Sequence, residues 1–162
     1  MSVNKHLPHV YVLPEDDANR QLATGFRLDP LLDYWKMRIL GEAGGWKKVV
    51  DIFVKDHVPE MDRWGTRLMV LLIDFDRQED RLNTVKAAIP ERLKERVFVL
   101  GAWNEPEKLK PVFGPYEKIG SQLAKDCREG TETTWSHDLL RHNAGELARL
   151  REQVRPFLFA DR

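Results

Sequence analysis

The segment LMVLLIDFD, residues 68–76, holds the most apolar run of the chain and ends in an Asp-Phe-Asp triplet. Its first six residues, Leu68 to Ile73, are apolar without alternation. This is the pattern of a β-strand that is buried on both faces of a parallel sheet. Because the run stops at Asp74, the segment predicts a central parallel strand with carboxylates at its carboxyl end.

Three shorter apolar segments predict the strands around this one. HVYVL (9–13) is β-branched and aromatic and ends at Pro14, so it predicts a buried first strand. KMRIL (36–40) precedes the glycine-rich turn GEAGG (41–45), and VFVL (97–100) is the fourth candidate strand. Together with the central segment they predict about four strands.

Helical patterns separate these strands. Asp16 and Asp17 can cap a helix that runs from Asn19 to Phe26, because their side chains can accept hydrogen bonds from its unpaired amide groups. From Trp46 onward, apolar residues recur at the three-to-four spacing of an amphipathic helix, which Pro59 must disturb. Strands that alternate with helices imply right-handed crossovers and a mainly parallel sheet.

The chain beyond the fourth strand shows helical patterns only. Its last apolar positions fall on one helical face and are Leu147, Leu150, Val154 and Leu158. We therefore expect an α/β fold in a single domain, residues 1–162, with about four mainly parallel strands flanked by helices and a helical C-terminal region.

The charge balance, the cysteine content and the length of the apolar runs limit the partners and compartments that we expect for this chain. The 26 basic and 26 acidic side chains cancel, so no global positive field draws the chain to nucleic acid or to an anionic membrane. The single cysteine, Cys127, cannot form an internal disulfide, which fits a reducing compartment. No apolar run approaches the roughly 18 residues of a membrane span. We expect a cytoplasmic protein without membrane contact.

Acidic residues follow two of the predicted strands. Glu15 comes just after the first strand, and Asp74 and Asp76 come after the central one. The carboxyl ends of parallel strands meet at one edge of a sheet, where ligands bind. In extended geometry Asp74 and Asp76 point to the same side, so the three carboxylates can supply the oxygen ligands that Mg²⁺ prefers. The alternative is that these residues only cap helices.

The strand ending at Glu15, the glycine turn at Gly44 and Gly45 before a helix, and the strand ending in Asp74-Phe75-Asp76 resemble the Toprim domain. This domain occurs in topoisomerases, primases and the overcoming-lysogenization-defect nucleases. The resemblance covers residues 8–110, leaves 111–162 as a helical extension, and implies a Rossmann-like fold. It is closest to small stand-alone Toprim proteins, some of which accompany ATPases in bacterial antiviral defence loci.

The resemblance implies a role for each acidic residue. Glu15 acts in proton transfer or as a metal ligand, and Asp74 and Asp76 bind Mg²⁺ or Mn²⁺. Asp16 stands where the family usually has glycine and is a further candidate ligand. Glu105, in NEPEKL, resembles an additional acidic position of some nuclease members.

The function that the resemblance implies is metal-dependent cleavage of a nucleic acid, most simply DNA. Because the net charge is zero, we expect a partner ATPase or a homodimer to contribute substrate affinity. Lys47 and Lys48 open a helix at the same edge and are candidate phosphate contacts.

Two other interpretations stay open. Pro14 to Leu22 (PEDDANRQL) and the pair Lys110-Pro111 also resemble response-regulator receiver domains, in which an aspartate after the third strand accepts a phosphoryl group. The interval from Glu15 to Asp74 is longer than in receivers, and Lys110 follows the fourth strand rather than a fifth. The remaining interpretation is a catalytically inactive scaffold.

Overall fold

A computed structural model describes residues 2–160 and contains a four-stranded, fully parallel sheet. The strand order is β2-β1-β3-β4. The strands are β1 (His9–Pro14), β2 (Met37–Ile39), β3 (Arg67–Leu72) and β4 (Val97–Leu100). The predicted α/β, Rossmann-like fold is therefore confirmed, and β1 and β3 are the two inner strands.

Eight α-helices are assigned in the same residues. They are α1 (Asp17–Arg27), α2 (Trp46–Ile52), α3 (Val58–Arg63), α4 (Glu79–Ala87), α5 (Lys110–Phe113), α6 (Tyr116–Glu129), α7 (Ala144–Gln153) and α8 (Arg155–Leu158). Short 3-10 turns cover Tyr34–Lys36, Glu91–Arg96, Pro106–Leu109 and Arg141–Asn143. In the part of the chain that the structure describes, no helix has the length and apolarity needed to cross a membrane.

The helix expected from Trp46 is interrupted, as its proline predicts. A π-helical segment, Phe53–His57, joins α2 to α3. Pro59 stands in the first turn of α3 and has no N–H to donate to the preceding turn, which here is the wider π-helical segment. The proline therefore marks the change from the π-helical segment to α3 within one continuous helical run.

Side chains of the strands alternate between two apolar cores. Val10 and Val12 of β1 face the core that contains α1, α6 and α7. Tyr11 and Leu13 face the other core, which contains residues of α2, α3 and α4. The sheet is thus covered on both faces, which explains why its strands are continuous apolar runs.

Side chains from the C-terminal helical region cover the edge of the sheet at β4. Glu146 Oε2 accepts a hydrogen bond from the Val99 amide at 2.8 Å, and Arg149 Nη1 donates to the Val97 carbonyl at 3.2 Å. Asn143 pairs with both the amide and the carbonyl of Gly101, at 3.2 and 3.0 Å. Side chains therefore satisfy the backbone groups of β4 that a fifth strand would otherwise pair.

The close contact between α1 and α6 depends on glycine. A Cβ atom at Gly120 would lie 2.0 Å from the Leu22 carbonyl oxygen, which belongs to the backbone and cannot rotate away. We expect Gly120→Ala to lower the free energy of unfolding by about 2 kcal/mol or more, because the two helices must separate. The free energy of unfolding would be measured by urea denaturation.

The matched control for this prediction is Gly145→Ala. Gly145 is an exposed position of α7 where an added Cβ meets no atom within 4 Å. Alanine there should raise the free energy of unfolding by about 0.4–1 kcal/mol, because it restricts the unfolded chain. Equal effects of the two substitutions would show that close backbone packing does not require Gly120.

Candidate metal site

The site lies where the two inner strands end. Glu15 is the first residue after β1, and its amide donates to the Leu72 carbonyl of β3 at 2.8 Å. Its own carbonyl accepts from the amides of Gly44 and Gly45, at 2.8 and 3.3 Å. Both glycines have positive φ angles, 94° and 145°, which L side chains rarely adopt. The backbone of Glu15 is therefore fixed by β3 on one side and by the turn before α2 on the other.

Three carboxylates converge at this point. Glu15, Asp16 and Asp74 each offer an oxygen, and these oxygens lie within 4.8 Å of one another. Glu15 Oε2 also accepts a hydrogen bond from the Asp74 amide at 2.9 Å, which ties the end of β1 to the segment that follows β3. A cluster of three acidic side chains that can hold a metal ion is thus present at the predicted edge of the sheet.

The buried side chain of Asn19 links two carboxylates of the cluster. It is 0 % exposed, and its Nδ2 donates to Asp16 Oδ1 at 2.9 Å and to Asp74 Oδ1 at 3.0 Å. Its backbone amide donates to the same Asp16 oxygen at 3.0 Å, so Asp16 caps α1 as expected while it belongs to the cluster. Sequence reasoning missed Asn19. Its position three residues after the capping aspartate was the available signal.

The crowding of the carboxylates changes their protonation. Burial raises the pKa of Asp74 to about 7, and the negative charges of Asp16 and Glu15 act in the same direction. Burial also raises the pKa of Glu15, although the hydrogen bond from the Asp74 amide opposes this change. The ionised cluster is therefore unfavourable in the metal-free protein, and a cation would offset the repulsion.

Asp76 lies apart from the group of three. Its φ angle is 49°, so the extended conformation expected between Asp74 and Asp76 does not hold. The Asp76 side chain is 61 % exposed, and its Oδ2 is 3.8 Å from Arg81 Nη2. The left-handed turn after Phe75 thus directs Asp76 toward α4, while both aspartates still line the same pocket.

A pocket of about 370 Å³ covers the cluster, a volume typical of small-ligand sites. It is lined by Glu15, Asp16, Gly44, Gly45, Asp74, Asp76, Arg81, Asn104 and Glu105. The exposed carboxylate of Glu105, expected as a further acidic ligand, belongs to this lining. Lys47 and Lys48, expected as phosphate contacts, are exposed residues of α2 outside the lining. Arg81 and Asn104 were not anticipated from the sequence.

An aromatic group supports the segment that carries Asp74. The Phe75 ring packs 5.9 Å from Trp103 and 5.1 Å from His142, measured between ring centroids. Burial lowers the pKa of His142 to about 4. His142 is therefore neutral near pH 7 and can pack against apolar rings. The buried Phe75 ring fixes the backbone between Asp74 and Asp76 to the apolar core.

Comparisons with protein-family models, with curated proteins and with solved structures find no match to this chain.

Proposed function

We propose that the protein cleaves phosphodiester bonds of nucleic acid with the help of Mg²⁺ or Mn²⁺. The observation that carries this proposal is the convergence of Glu15, Asp16 and Asp74 within 4.8 Å at the carboxyl edge of the sheet. The donor set consists of carboxylate oxygens, which suit hard divalent cations. The raised pKa values of Glu15 and Asp74 support it further, because the cluster lacks the positive charge that would keep both ionised.

We propose further that the chain is a Toprim-like nuclease. Three features support this assignment: Glu15 directly follows β1, the Asp74-Phe75-Asp76 segment follows β3, and Gly44 and Gly45 lie against Glu15 before α2. Asp16 departs from the family pattern. Because Asp16 belongs to the cluster, this departure adds a carboxylate to the metal-binding group.

The residues of the cluster would have different roles in metal binding and in proton transfer. Asp16 and Asp74 would hold the cation, and Asn19 fixes one oxygen of each. A cation held there would supply charge to polarise a phosphate and to lower the pKa of an attacking water. Glu15, whose pKa is raised by burial, is suited to accept a proton from that water.

DNA is the substrate that we propose, with part of the affinity supplied by a partner. A chain with 26 basic and 26 acidic residues has no net charge to attract a polyanion. A partner ATPase, as in antiviral defence loci, or a homodimer would supply the missing positive surface. These assignments follow from the Toprim resemblance.

The receiver interpretation is the second candidate. The order β2-β1-β3-β4 equals the first four positions of the flavodoxin-like order, and a half-buried aspartate follows β3. Two observations oppose it. Side chains of α7 occupy the β4 edge where a fifth strand would pair, and Lys110 Nζ lies 4.1 Å from the centroid of the Tyr116 ring, outside the acidic pocket.

One experiment separates the two candidates. Supercoiled plasmid incubated with the protein should be nicked in Mg²⁺ or Mn²⁺ and stay intact in EDTA, because the cation must neutralise charge that develops on the phosphate. In parallel, the protein is incubated with acetyl phosphate and Mg²⁺, and its intact mass is measured. Gain of one phosphoryl group on Asp74 without nicking would replace the nuclease assignment with the receiver. If the protein shows neither nicking nor phosphorylation, the interpretation as an inactive scaffold would be favoured.

A further inference from the structure

Arg81 is held in a fixed position at the acidic pocket. Its Nη1 donates to the backbone carbonyl of Asp74 at 2.7 Å, and its guanidinium carbon lies 5.0 Å from the centroid of the Trp46 ring. The Arg81 side chain is only 14 % exposed. Because α2, α4 and the loop after β3 all contribute to this placement, the guanidinium is preorganised rather than free in solvent.

Among the pocket-lining residues that the structure describes, Arg81 is the only cation. The carboxylates that share the lining are Glu15, Asp16, Asp74, Asp76 and Glu105. Arg81 does not pair closely with any of them, since its nearest ion pair, to Asp76, spans 3.8 Å and is longer than a hydrogen bond. Its Nε is buried and has no partner among residues 2–160. Donor capacity of the guanidinium is therefore unused.

Asn104 is a second unused polar group of the same pocket. It is 8 % exposed, it lines the pocket, and its side-chain amide has no hydrogen-bond partner within residues 2–160. Its amide atoms are not among the buried, unpartnered polar atoms of residues 2–160, so they reach the open pocket and can meet a ligand there. The amide of Asn104 can donate to an oxyanion.

We propose that Arg81 and Asn104 bind the phosphate group of the substrate beside the metal cluster. This inference rests on the proposed function, because the surrounding carboxylates would repel an anion unless a cation were first bound at Asp16 and Asp74. Arg81 then supplies donors of fixed direction, and Asn104 supplies a further donor. The expected ligand is an oxyanion of phosphate ester type, and its binding depends on the divalent cation.

The test measures, in wild type and in variants of Arg81 and Asn104, the binding of inorganic phosphate and the response to Mg²⁺. Isothermal titration of phosphate into wild type at saturating Mg²⁺ should show binding that disappears in EDTA. Arg81→Met should weaken phosphate binding by about tenfold or more, because charged hydrogen bonds are lost, and Arg81→Lys should restore it only in part. Asn104→Ala should weaken it as well. The Mg²⁺-induced rise in melting temperature should persist in all three variants, which also shows that they are folded.

The matched control is Arg92→Met. Arg92 is an exposed arginine that pairs with Asp62 at 2.7 Å, away from the pocket, so its removal should leave phosphate affinity unchanged. A wild type that responds to Mg²⁺ but binds no phosphate, or an Arg81→Met variant that binds phosphate as wild type does, would overturn this inference alone. A wild type that gains no stability from Mg²⁺ would overturn the metal site and the proposed function together.

Discussion

Glu15→Gln is expected to reduce cation-dependent nicking of DNA by roughly 10²–10⁴-fold, the usual contribution of a positioned acid–base group. Glutamine has nearly the same shape but cannot accept a proton near neutral pH. The raised pKa of Glu15, caused mainly by burial, is what suits it to this step. The rate of plasmid nicking in Mg²⁺ and Mn²⁺ is the measurement.

The fold should survive this substitution. The glutamine Oε1 can still accept the hydrogen bond that Glu15 Oε2 receives from the Asp74 amide at 2.9 Å. The contacts of the Glu15 backbone with Leu72 and Gly44 do not involve the side chain. A circular dichroism spectrum and a melting temperature at least equal to those of wild type would confirm a folded variant.

Glu42→Gln is the matched control for the nicking assay. Glu42 is an exposed glutamate whose carboxylate lies 3.2 Å from Arg20 Nε, outside the acidic pocket. Its loss should leave the nicking rate within about twofold of wild type, because surface ion pairs contribute little. Full activity of folded Glu15→Gln would remove Glu15 from the catalytic step.

Asp74→Asn is expected to abolish the stabilisation that Mg²⁺ provides. In wild type, a cation at 100 times its dissociation constant should add about 2.7 kcal/mol to the free energy of unfolding. Asparagine lacks the charge that Asp74 brings to the cluster, although it can still accept from Asn19 Nδ2. The shift of melting temperature with Mg²⁺ and Mn²⁺ concentration is the measurement.

The same variant should change the pH dependence of the metal-free protein. The pKa of Asp74 is raised to about 7, above its ordinary value of 3.8, so the folded state holds this proton more tightly than the unfolded state. The penalty for ionising Asp74 is absent below about pH 4, grows between pH 4 and 7, and is constant above pH 7. Relative to Asp74→Asn, wild type should therefore lose stability as pH rises through this window.

Asp138→Asn provides the matched control for both measurements. Asp138 is 81 % exposed and pairs with Arg141 at 3.2 Å, so this variant should keep the Mg²⁺ response and the pH profile of wild type. An unchanged Mg²⁺ response in Asp74→Asn would mean that the cation binds elsewhere on the protein.

The sheet and the meeting of Glu15 with Asp74 were predictable from the sequence. Unbroken apolar runs such as 68–73 are diagnostic of strands buried on both faces, and their hydrophobicity does not depend on distant partners. Once β1 and β3 are parallel, the residues after them share one edge. Asp16 was predictable as a helix cap, and the same position brings it into the cluster.

The remaining parts of the site depend on conformations and contacts that no local pattern encodes. The left-handed φ of Asp76 separates it from Asp74, although the spacing of two residues indicated a common side. Arg81 belongs to α4 and Asn104 to the segment after β4, and only the tertiary packing of these elements brings both side chains to the pocket. The pairing of Gly101 with Asn143 spans 42 positions, which periodicity cannot detect.

The position of Mn²⁺ in an anomalous difference map, from crystals grown with that ion, tests the metal site most directly. We expect a peak at about 2.0–2.2 Å from carboxylate oxygens of Asp16 and Asp74, beside Glu15, and no such peak in crystals of Asp74→Asn. Ordered carboxylates with no ion between them, or an ion bound only elsewhere, would contradict the claim that this cluster is a metal site.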